Sequence, residues 1–410
     1  MRDPHRRTRR TLAAYAVGAL VLPVVLAGCG QGGDEVDIDV TGTAPASPSA
    51  SSSGSSSAGP STDPSAGSAG GEQVELPTSR RPRVVATAVT GLEAPWGLDF
   101  FADGDAIVTE RDTTRVLRVS PDGEVTELGA VDAAAPEGEA GLLGVALSPD
   151  FEQDRLVYLY VTTGEDNRVV RAELDGDRLG PTEDVLTGIP NGFIHDGGRL
   201  LFGPDGHLYV STGEIGEPAR AQDRDDLGGK ILRITPDGDP APGNPFGSPV
   251  WSWGHRNVQG LAFDGEGRLW ASEFGDSTWD ELNLIEKGAN YGWPEVEGRA
   301  EGRAEGTVEG GPSGDFVDPQ AQWSTDEASP SGLAYADGHL YLAALRGERL
   351  WRVPVDGDGA GEPEAFLVGE LGRMRTVALA PDGRLWLTTS NRDGRGDPAD
   401  EDDRILVLKP

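Results

Sequence analysis

A short β-unit recurs six times along the chain and restricts the folds open to it. Each copy has an apolar triplet, a turn with Asp-Gly or a close equivalent, and a strand rich in aromatic and β-branched residues. The six triplets are residues 97–99, 145–147, 200–202, 261–263, 333–335 and 377–379. Short alternating strands bounded by such turns form hairpins, and a further apolar strand follows most copies.

A repeat of this length with several strands per copy is typical of the blade of a β-propeller. We therefore predict an all-β fold, a six-bladed β-propeller of four-stranded antiparallel blades, over residues 78–410. Residues 83–89 form one more apolar strand ahead of the first copy. We predict that this strand pairs with the last blade and closes the ring.

The N-terminal segment has the features of an export signal. Arginines crowd its first ten positions, an apolar stretch covers residues 11–26, and Leu26-Ala27-Gly28-Cys29 resembles a bacterial lipobox. We predict that residues 1–28 are a lipoprotein signal peptide, that Cys29 is lipidated, and that the protein is exported and anchored by lipid to the outer face of the bacterial cell membrane. The alternative is an ordinary signal peptide with a free thiol at Cys29. With one cysteine, the chain forms no internal disulfide.

Composition separates a tether from the folded region. Residues 29–77 are acidic at first and then almost entirely Ser, Ala, Gly and Pro, so we predict a disordered tether. The chain carries 69 acidic and 35 basic residues, a formal net charge of −34. This charge argues against nucleic-acid binding. The acidity favours solubility, although clustered carboxylates also suit calcium.

Several loops carry polar residues that a structural blade does not need. His195 lies in a glycine-flanked turn, Glu139 precedes the second triplet, and residues 253–257, 273–281 and 373–375 flank later copies. Loops between propeller blades converge around the central channel, so these residues can meet there. Taken alone, each has an ordinary explanation: a lone histidine is more often structural, and the acidic turn lacks the spacing of an EF-hand loop.

An ordered set of motifs from about residue 91 to residue 408 carries a family resemblance. The motifs are Ala94-Pro95-Trp96-Gly97-Leu98, Thr109-Glu110-Arg111, Gly141-Leu142-Leu143-Gly144, Gly198-Arg199-Leu200, Leu227-Gly228-Gly229-Lys230, Gly254-His255-Arg256-Asn257, Asp280-Glu281 and Asn290-Tyr291-Gly292-Trp293-Pro294. The chain resembles the soluble quinoprotein glucose/sorbosone dehydrogenases. The resemblance implies oxidation of an aldose sugar at C1 to a lactone, with pyrroloquinoline quinone (PQQ) and calcium, and an external electron acceptor.

The resemblance also assigns roles to residues. It implies that His195 is the general base, that Glu214 orients it, and that Arg256 stabilises charge on a quinone oxygen. The cofactor-binding residues that it implies are Glu139, His195, Arg256, Asn257, Arg346, Arg373 and Arg375. Arg346 stands where the family is expected to have a lysine.

Two calcium sites follow from the same resemblance. It implies that the backbone carbonyls of Gly275 and Asp276 hold the calcium of the cofactor. It also implies that the Glu281 carboxylate and the Tyr291 carbonyl hold a second, structural calcium. Asp276 stands where the family often has proline, so a carboxylate lies beside the first site.

Two other functions are compatible with the fold. One is a metal-dependent lactonase of the six-bladed type, which needs a cation held at the channel by several Glu, Asp or Asn side chains and no quinone. The other is a non-catalytic propeller that binds a carbohydrate or another partner, since one fold supports many functions.

Overall fold

The computed structural model describes residues 81–299 and 316–410. Within these ranges, 26 strands and two four-residue helices, α1 (Phe151–Asp154) and α2 (Ala219–Gln222), make up the regular structure. The predicted signal peptide, Cys29 and the predicted tether lie outside the described residues. In the described part of the chain, no helix is long and apolar enough to cross a membrane.

The strands form six antiparallel sheets, which are the blades of a six-bladed propeller. After β1 (Arg83–Val89), blade 1 has β2 (Pro95–Phe100), β3 (Ala106–Glu110), β4 (Arg115–Val119) and β5 (Val125–Ala130). Blade 2 has β6 (Leu142–Leu147), β7 (Leu156–Thr162), β8 (Asn167–Asp175), the short β9 (Arg178–Leu179) and β10 (Glu183–Ile189). Blade 3 has β11 (Leu200–Phe202), β12 (Leu208–Ser211), β13 (Lys230–Ile234) and β14 (Val250–Trp253).

The remaining three blades follow the same order. Blade 4 has β15 (Asn257–Phe263), β16 (Leu269–Phe274), β17 (Trp279–Ile285) and β18 (Ala321–Ser324). Blade 5 has β19 (Pro330–Ala336), β20 (His339–Ala344), β21 (Arg349–Asp356), the short β22 (Gly359–Ala360) and β23 (Glu364–Phe366). Blade 6 has β24 (Met374–Leu379), β25 (Leu385–Thr389) and β26 (Ile405–Lys409), and β1 is its fourth strand.

The first strand of the fold closes the ring, as the sequence predicts. β1 pairs antiparallel with β26, with Val84 opposite Leu408 and Thr87 opposite Leu406. The inner strands β2, β6, β11, β15, β19 and β24 contact one another in that order, and β24 contacts β2 again. The prediction of a six-bladed all-β propeller is therefore confirmed.

The apolar core lies between neighbouring blades. Ile107 and Val116 of blade 1 pack with Leu142 and Leu159 of blade 2, and all four are buried. Large aromatic side chains fill other gaps, as Trp270 does between blades 4 and 5. Because both faces of a blade are covered, the second strand of a blade can be apolar throughout.

The inner strands begin at one face of the propeller, where the second strands of the blades end. Five of them carry an irregularity in pairing near this end, for example between Pro95 and Leu98 and between Leu142 and Val145. Neighbouring inner strands come so close that a Cβ at Gly144 would lie 2.1 Å from the carbonyl oxygen of Gly198. The loops of this face, which we call the upper face, carry most of the polar residues that the sequence singles out.

Candidate active site

His195 and Glu214 form the centre of the upper face. Nδ1 of His195 lies 2.5 Å from Oε1 of Glu214, and the Glu214 side chain is buried. A carboxylate accepts only, so the proton of the neutral imidazole lies on Nδ1 and Nε2 is the free acceptor. His195 has a φ of 60°, and its amide donates to Oε2 of Glu139 at 3.0 Å. His195 is thereby fixed through both its backbone amide and its imidazole ring.

The glycines after His195 allow this turn to form. Gly197 and Gly198 have φ values of 68° and 105°, and a Cβ at Gly197 would lie 2.5 Å from Cα of Thr212. The turn therefore packs directly against the end of β12, which leads into Glu214. The spacing between the histidine and its acid follows from this contact between two loops of blade 3.

Asn257 connects this turn to blade 4. Its Oδ1 accepts from the Gly197 amide at 3.1 Å, and the Glu214 amide donates to the Arg256 carbonyl at 2.9 Å. Asn257 is completely buried, yet its Nδ2 has no hydrogen-bond partner among residues 81–299 and 316–410. The structure thus brings the predicted residues His195, Glu214 and Asn257 together and leaves one buried donor free.

Arg256 points toward the predicted calcium loop. Its Nη1 donates to the Gly275 carbonyl at 2.5 Å, and its Nη2 donates to Oδ1 of Asp276 at 3.0 Å. The guanidinium lies 5.3 Å from the ring centre of Trp293, and its Nε has no hydrogen-bond partner in the part of the chain that the structure describes. In this structure a guanidinium therefore contacts the Gly275 carbonyl and the Asp276 side chain, two of the oxygens near which the resemblance places the cofactor's calcium.

Arg373 and Arg375 face the centre of the ring from blade 6. Arg373 binds the Asp393 carboxylate through Nε and Nη2, the latter at 2.8 Å, and Nη2 of Arg375 lies 3.3 Å from the same carboxylate. Burial lowers the pKa of Arg375 to about 10, against the opposing charge of Asp393. Burial also acts to raise the pKa of Asp393, but the two guanidinium groups outweigh it and lower that pKa.

Arg346 has a different environment from the other predicted cofactor contacts. Its side chain is 61% exposed and forms an ion pair with Asp326 at 2.5 Å. It lies in the loop between β20 and β21, on the upper face. None of its contacts in the described structure links it to His195, Arg256 or Arg375.

Glu139 lies between the Arg395 guanidinium and the turn that carries His195. Its Oε1 accepts from Nη1 of Arg395 at 2.7 Å, and its Oε2 accepts from the His195 amide. Burial acts to raise the pKa of Glu139, but the amide bond and the Arg395 charge outweigh it and lower the pKa. Glu139 is therefore an ionised group that fixes the turn of His195.

A half-buried carboxylate, that of Glu297, organises the loop of Gly275 and Asp276. Oε1 of Glu297 accepts four consecutive backbone amides, those of residues 276–279, at 2.7 to 3.1 Å. Asp280 binds the same loop, because its Oδ1 accepts a hydrogen bond from the Gly275 amide at 2.9 Å. Burial raises the pKa of Asp280 to about 6.

The second predicted calcium site contains two buried carboxylates. Glu281 lies directly across from Glu273 in the pairing of β16 and β17. Burial and the neighbouring Glu273 charge raise the pKa of Glu281 to about 8. Tyr291 stacks on His255 at 4.6 Å. Among the described residues, no three His, Cys, Asp or Glu side chains are grouped as metal ligands would be, so carbonyl oxygens would complete such a site.

Sequence reasoning assigned no role to three acids that hold this arrangement. Glu273 accepts from His255 and from the Arg256 amide, Asp393 joins Arg373 to Arg375, and Glu297 binds the loop of residues 276–279. Glu273 begins the acidic run of residues 273–281, and its place in that run was the sequence signal that could have identified it. Asp393 lies in an Asp-Gly turn, and Glu297 follows Tyr291 and Trp293 with no distinguishing pattern.

Fold and site together define the class: a six-bladed propeller with a histidine–carboxylate pair and converging arginines on one face. The chain belongs to the Glucose / Sorbosone dehydrogenase family, whose model matches residues 92–405. It is therefore an oxidoreductase, and the family resemblance drawn from the sequence is confirmed.

Similar proteins support this assignment. The solved structure of the PQQ-bound form of an aldose sugar dehydrogenase from Streptomyces coelicolor is 56% identical, covers 80% of this chain and 98% of that chain, and superposes with a TM-score of 0.75. A glucose dehydrogenase structure from Thermus thermophilus is 44% identical, covers 80% and 100% of the two chains, and has a TM-score of 0.73. The aldose sugar dehydrogenase YliI of Escherichia coli is 31% identical over 74% of this chain and 89% of its own.

Proposed function

We propose that this protein oxidises the C1 position of aldose sugars to lactones, with PQQ as cofactor and His195 as general base. The observation that carries the proposal is the contact between His195 and Glu214, which leaves Nε2 of a largely buried imidazole as an acceptor. The Streptomyces coelicolor relative, at 56% identity, is an aldose sugar dehydrogenase with PQQ bound.

The residues of the site fit PQQ. This cofactor is an anionic quinone with three carboxylates, so it needs cations and amide donors. The upper face offers Arg373 and Arg375, and Nε of Arg256 and Nδ2 of Asn257 are buried without hydrogen-bond partners among the described residues. Buried polar atoms normally have partners, so these two donors are ones that an anionic ligand would satisfy.

The chain's own residues account for the proton chemistry. Glu214 fixes the Nδ1–H tautomer of His195, so that Nε2 can take the proton from the C1 hydroxyl of the sugar. The resulting imidazolium is stabilised by the Glu214 carboxylate, and Glu139 keeps the turn in place through the His195 amide. PQQ, when bound, supplies the quinone that accepts the hydride from C1. In this proposal Arg256 would stabilise negative charge on the quinone.

We propose calcium as the second cofactor. The residues fit it in part: Glu297 and Asp280 hold the loop of Gly275 and Asp276 in a fixed shape, and the Glu273–Glu281 pair places two buried carboxylates next to each other. Oxygen ligands of this kind suit a hard cation. Binding at Gly275 would require Arg256 to leave the carbonyl that it now contacts.

Reconstitution tests the proposal directly. Purified protein is incubated with PQQ and calcium, and sugar-dependent reduction of a redox dye is measured with a panel of aldoses. We expect activity in the native protein and none in His195→Ala, while His339→Ala, at the start of β20 in blade 5, retains it. Absence of activity with every aldose, or full activity in His195→Ala, would overturn the proposal.

The two rival functions give different results in the same experiment. Cofactor-independent hydrolysis of a lactone would favour a metal-dependent lactonase, which needs clustered acidic ligands at the channel. A folded protein that binds no quinone would favour a non-catalytic propeller. The free donors of Arg256 and Asn257 favour the quinone enzyme over both.

We also propose that the mature protein begins at a lipidated Cys29 and is held at the outer face of the cell membrane. The support is the sequence Leu26-Ala27-Gly28-Cys29 after an apolar stretch with a basic start. Cell fractionation and mass spectrometry of the N-terminal peptide test it. We expect lipid mass on Cys29 and release of Cys29→Ser from the membrane fraction; an unmodified Cys29 would contradict it.

A further inference from the structure

The face opposite His195 contains the mouth of a large cavity. The cavity has a volume of about 660 Å³ and is lined by the later residues of all six inner strands. Most of the lining residues are of apolar type and belong to the six sequence triplets, including Leu98, Val145, Leu261, Leu333 and Val377. A cavity of this size and character is in the range of small-molecule sites.

Arg199 lies at the inner end of this cavity and spans the channel. The inner strands of blades 1, 2, 4 and 5 have glycine at the equivalent position: Gly97, Gly144, Gly260 and Gly332. Blade 3 has Arg199 there and the opposite blade 6 has Thr376, and Nη2 of Arg199 donates to Oγ1 of Thr376 at 3.0 Å. Nε donates to the Gln259 carbonyl at 2.8 Å, and the guanidinium lies 4.3 Å from the Trp96 ring centre.

The charge of Arg199 has no counter-ion in the described structure. Its two hydrogen bonds go to a carbonyl and a hydroxyl, and no carboxylate of residues 81–299 or 316–410 forms an ion pair with it. Only 8% of the residue is exposed. Burial, together with the nearby Arg375, lowers the pKa of Arg199 to about 9. A buried cation without a carboxylate is costly unless an anion binds there.

The acidic side chains in the lining do not supply that anion. The Asp264 carboxylate binds Arg268 and Trp270. The Asp99 carboxylate accepts the amides of Phe100 and Leu147, and it lies two residues further along its strand than the level of Arg199. Arg199 donates through Nε and Nη2, and no hydrogen bond from its Nη1 is made within residues 81–299 and 316–410, so Nη1 is a donor for a ligand in the cavity that Arg199 lines.

We infer that this cavity is a second ligand site, which binds a small organic carboxylate with an apolar body. The ligand's carboxylate would accept a hydrogen bond from Nη1 of Arg199. Its apolar body would lie along the six triplets, toward the open mouth of the cavity. The site is separate from the upper face, because its lining ends at Arg199 and Thr376 and includes none of the residues His195, Glu214, Arg256, Arg373 and Arg375. This inference does not depend on the proposed sugar oxidation.

Octanoate is a suitable probe, with octan-1-ol as its uncharged counterpart. Isothermal titration calorimetry on the folded protein should give saturable binding of one octanoate, and octan-1-ol should bind at least about 10-fold more weakly. Arg199→Gln should reduce octanoate affinity about 10-fold or more, whereas Arg199→Lys retains part of it. Arg373→Ala, on the upper face, should leave octanoate binding unchanged.

A second pair of variants covers the case in which Arg199→Gln does not fold. Leu379 lies in the lining and is 43% exposed, so it tolerates polar substitution. Leu379→Glu should weaken octanoate binding several-fold through charge repulsion, and the neutral Leu379→Gln should do so much less. The inference is overturned if octanoate does not bind, if octan-1-ol binds equally well, or if Arg373→Ala abolishes binding while the Arg199 and Leu379 variants do not.

Discussion

Nδ1 of His195 lies 2.5 Å from Oε1 of Glu214, in a pair that joins the turn before β11 to the loop after β12. Both elements belong to blade 3, so the pair does not depend on how the blades are arranged around the ring. Its position over the channel does depend on the ring, because Asn257 and Arg256 of the neighbouring blade hydrogen-bond to the same two loops. The His195–Glu214 contact therefore forms within one blade, whereas its position over the channel depends on the neighbouring blade.

Glu214→Gln tests this pair. The amide can keep the contact but cannot stabilise a protonated imidazole, and it can hold the wrong tautomer. We expect kcat for aldose oxidation to fall between about 100-fold and about 10,000-fold, with a much smaller change in KM and in PQQ affinity. Steady-state dye reduction measures it. Glu217→Gln, an exposed acid in the same loop, is the control and should stay near native activity; a Glu214→Gln enzyme within about 3-fold of native would contradict the positioning role.

The fold could be predicted because its signals are local and repeated. An apolar triplet followed by an Asp-Gly turn indicates two strands joined as a hairpin. Six copies of this pattern predict six blades. The ring closure through β1 was predictable because Arg83–Val89 was the one apolar strand without a partner in its own copy.

The site could be predicted only in part, since contacts across the ring leave no local pattern. The sequence placed His195, Glu214 and Arg256 in loops of one face, but the four amides on Glu297 depend on the shape of a loop 18 or more residues away. The contact of Arg199 with Thr376, 177 positions apart, exists only once blades 3 and 6 face each other. Residue type alone likewise did not separate exposed Arg346 from buried Arg373.

The difference between Arg346 and Arg373 gives a second prediction, on cofactor affinity. Arg373 is buried and its fork already holds Asp393, whereas Arg346 is mostly exposed and contacts Asp326. We expect Arg373→Gln to weaken PQQ binding about 10-fold or more, and Arg346→Gln to change it less than about 3-fold. Titration of the apoprotein with PQQ, followed by its absorbance, measures both. An equal or larger loss in Arg346→Gln would instead place Arg346 in contact with the cofactor.

A third prediction concerns calcium and the buried acid pair. A cation between Glu273 and Glu281 would remove their repulsion and stabilise the folded state by about 2.7 kcal/mol at 100 times its dissociation constant. We expect calcium to raise the melting temperature of the native protein and a chelator to lower it. Glu281→Gln should respond much less, and Glu286→Gln, an exposed acid after the same strand, should respond as the native protein does. Equal responses in all three proteins would argue against a site at Glu281.

Asp196, next to the proposed base, provides a fourth prediction, on stability against pH. Burial raises its pKa from 3.8 to about 7, although the Asn167 amide and the Gly192 NH oppose the shift. Between these values the folded protein keeps a proton that the unfolded chain has lost. This contribution to stability is complete at low pH and is lost as the pH rises through about 7, with an upper limit of about 4 kcal/mol.

Asp196→Asn imitates the protonated acid and should remove this dependence. Relative to the native protein, the variant should gain free energy of unfolding as the pH rises from about 5 to about 8, as measured by chemical denaturation. Asp122→Asn, in an exposed turn, should keep a constant difference from the native protein over the same range. A constant difference for Asp196→Asn would show that Asp196 ionises normally in the folded state.

The last prediction concerns the close packing of the inner strands. A Cβ at Gly144 would lie 2.1 Å from the Gly198 carbonyl oxygen, whereas a Cβ at Gly164 would meet no atom within 4 Å. Gly144→Ala must therefore push apart blades 2 and 3, at a cost of about 2 kcal/mol or more. Gly164→Ala should be neutral or stabilise the fold by up to about 1 kcal/mol. Denaturation midpoints measure both. Because Gly198 ends the turn that carries His195, we expect the Gly144→Ala enzyme to lose kcat even where it remains folded, and full activity would show that the turn does not depend on this contact.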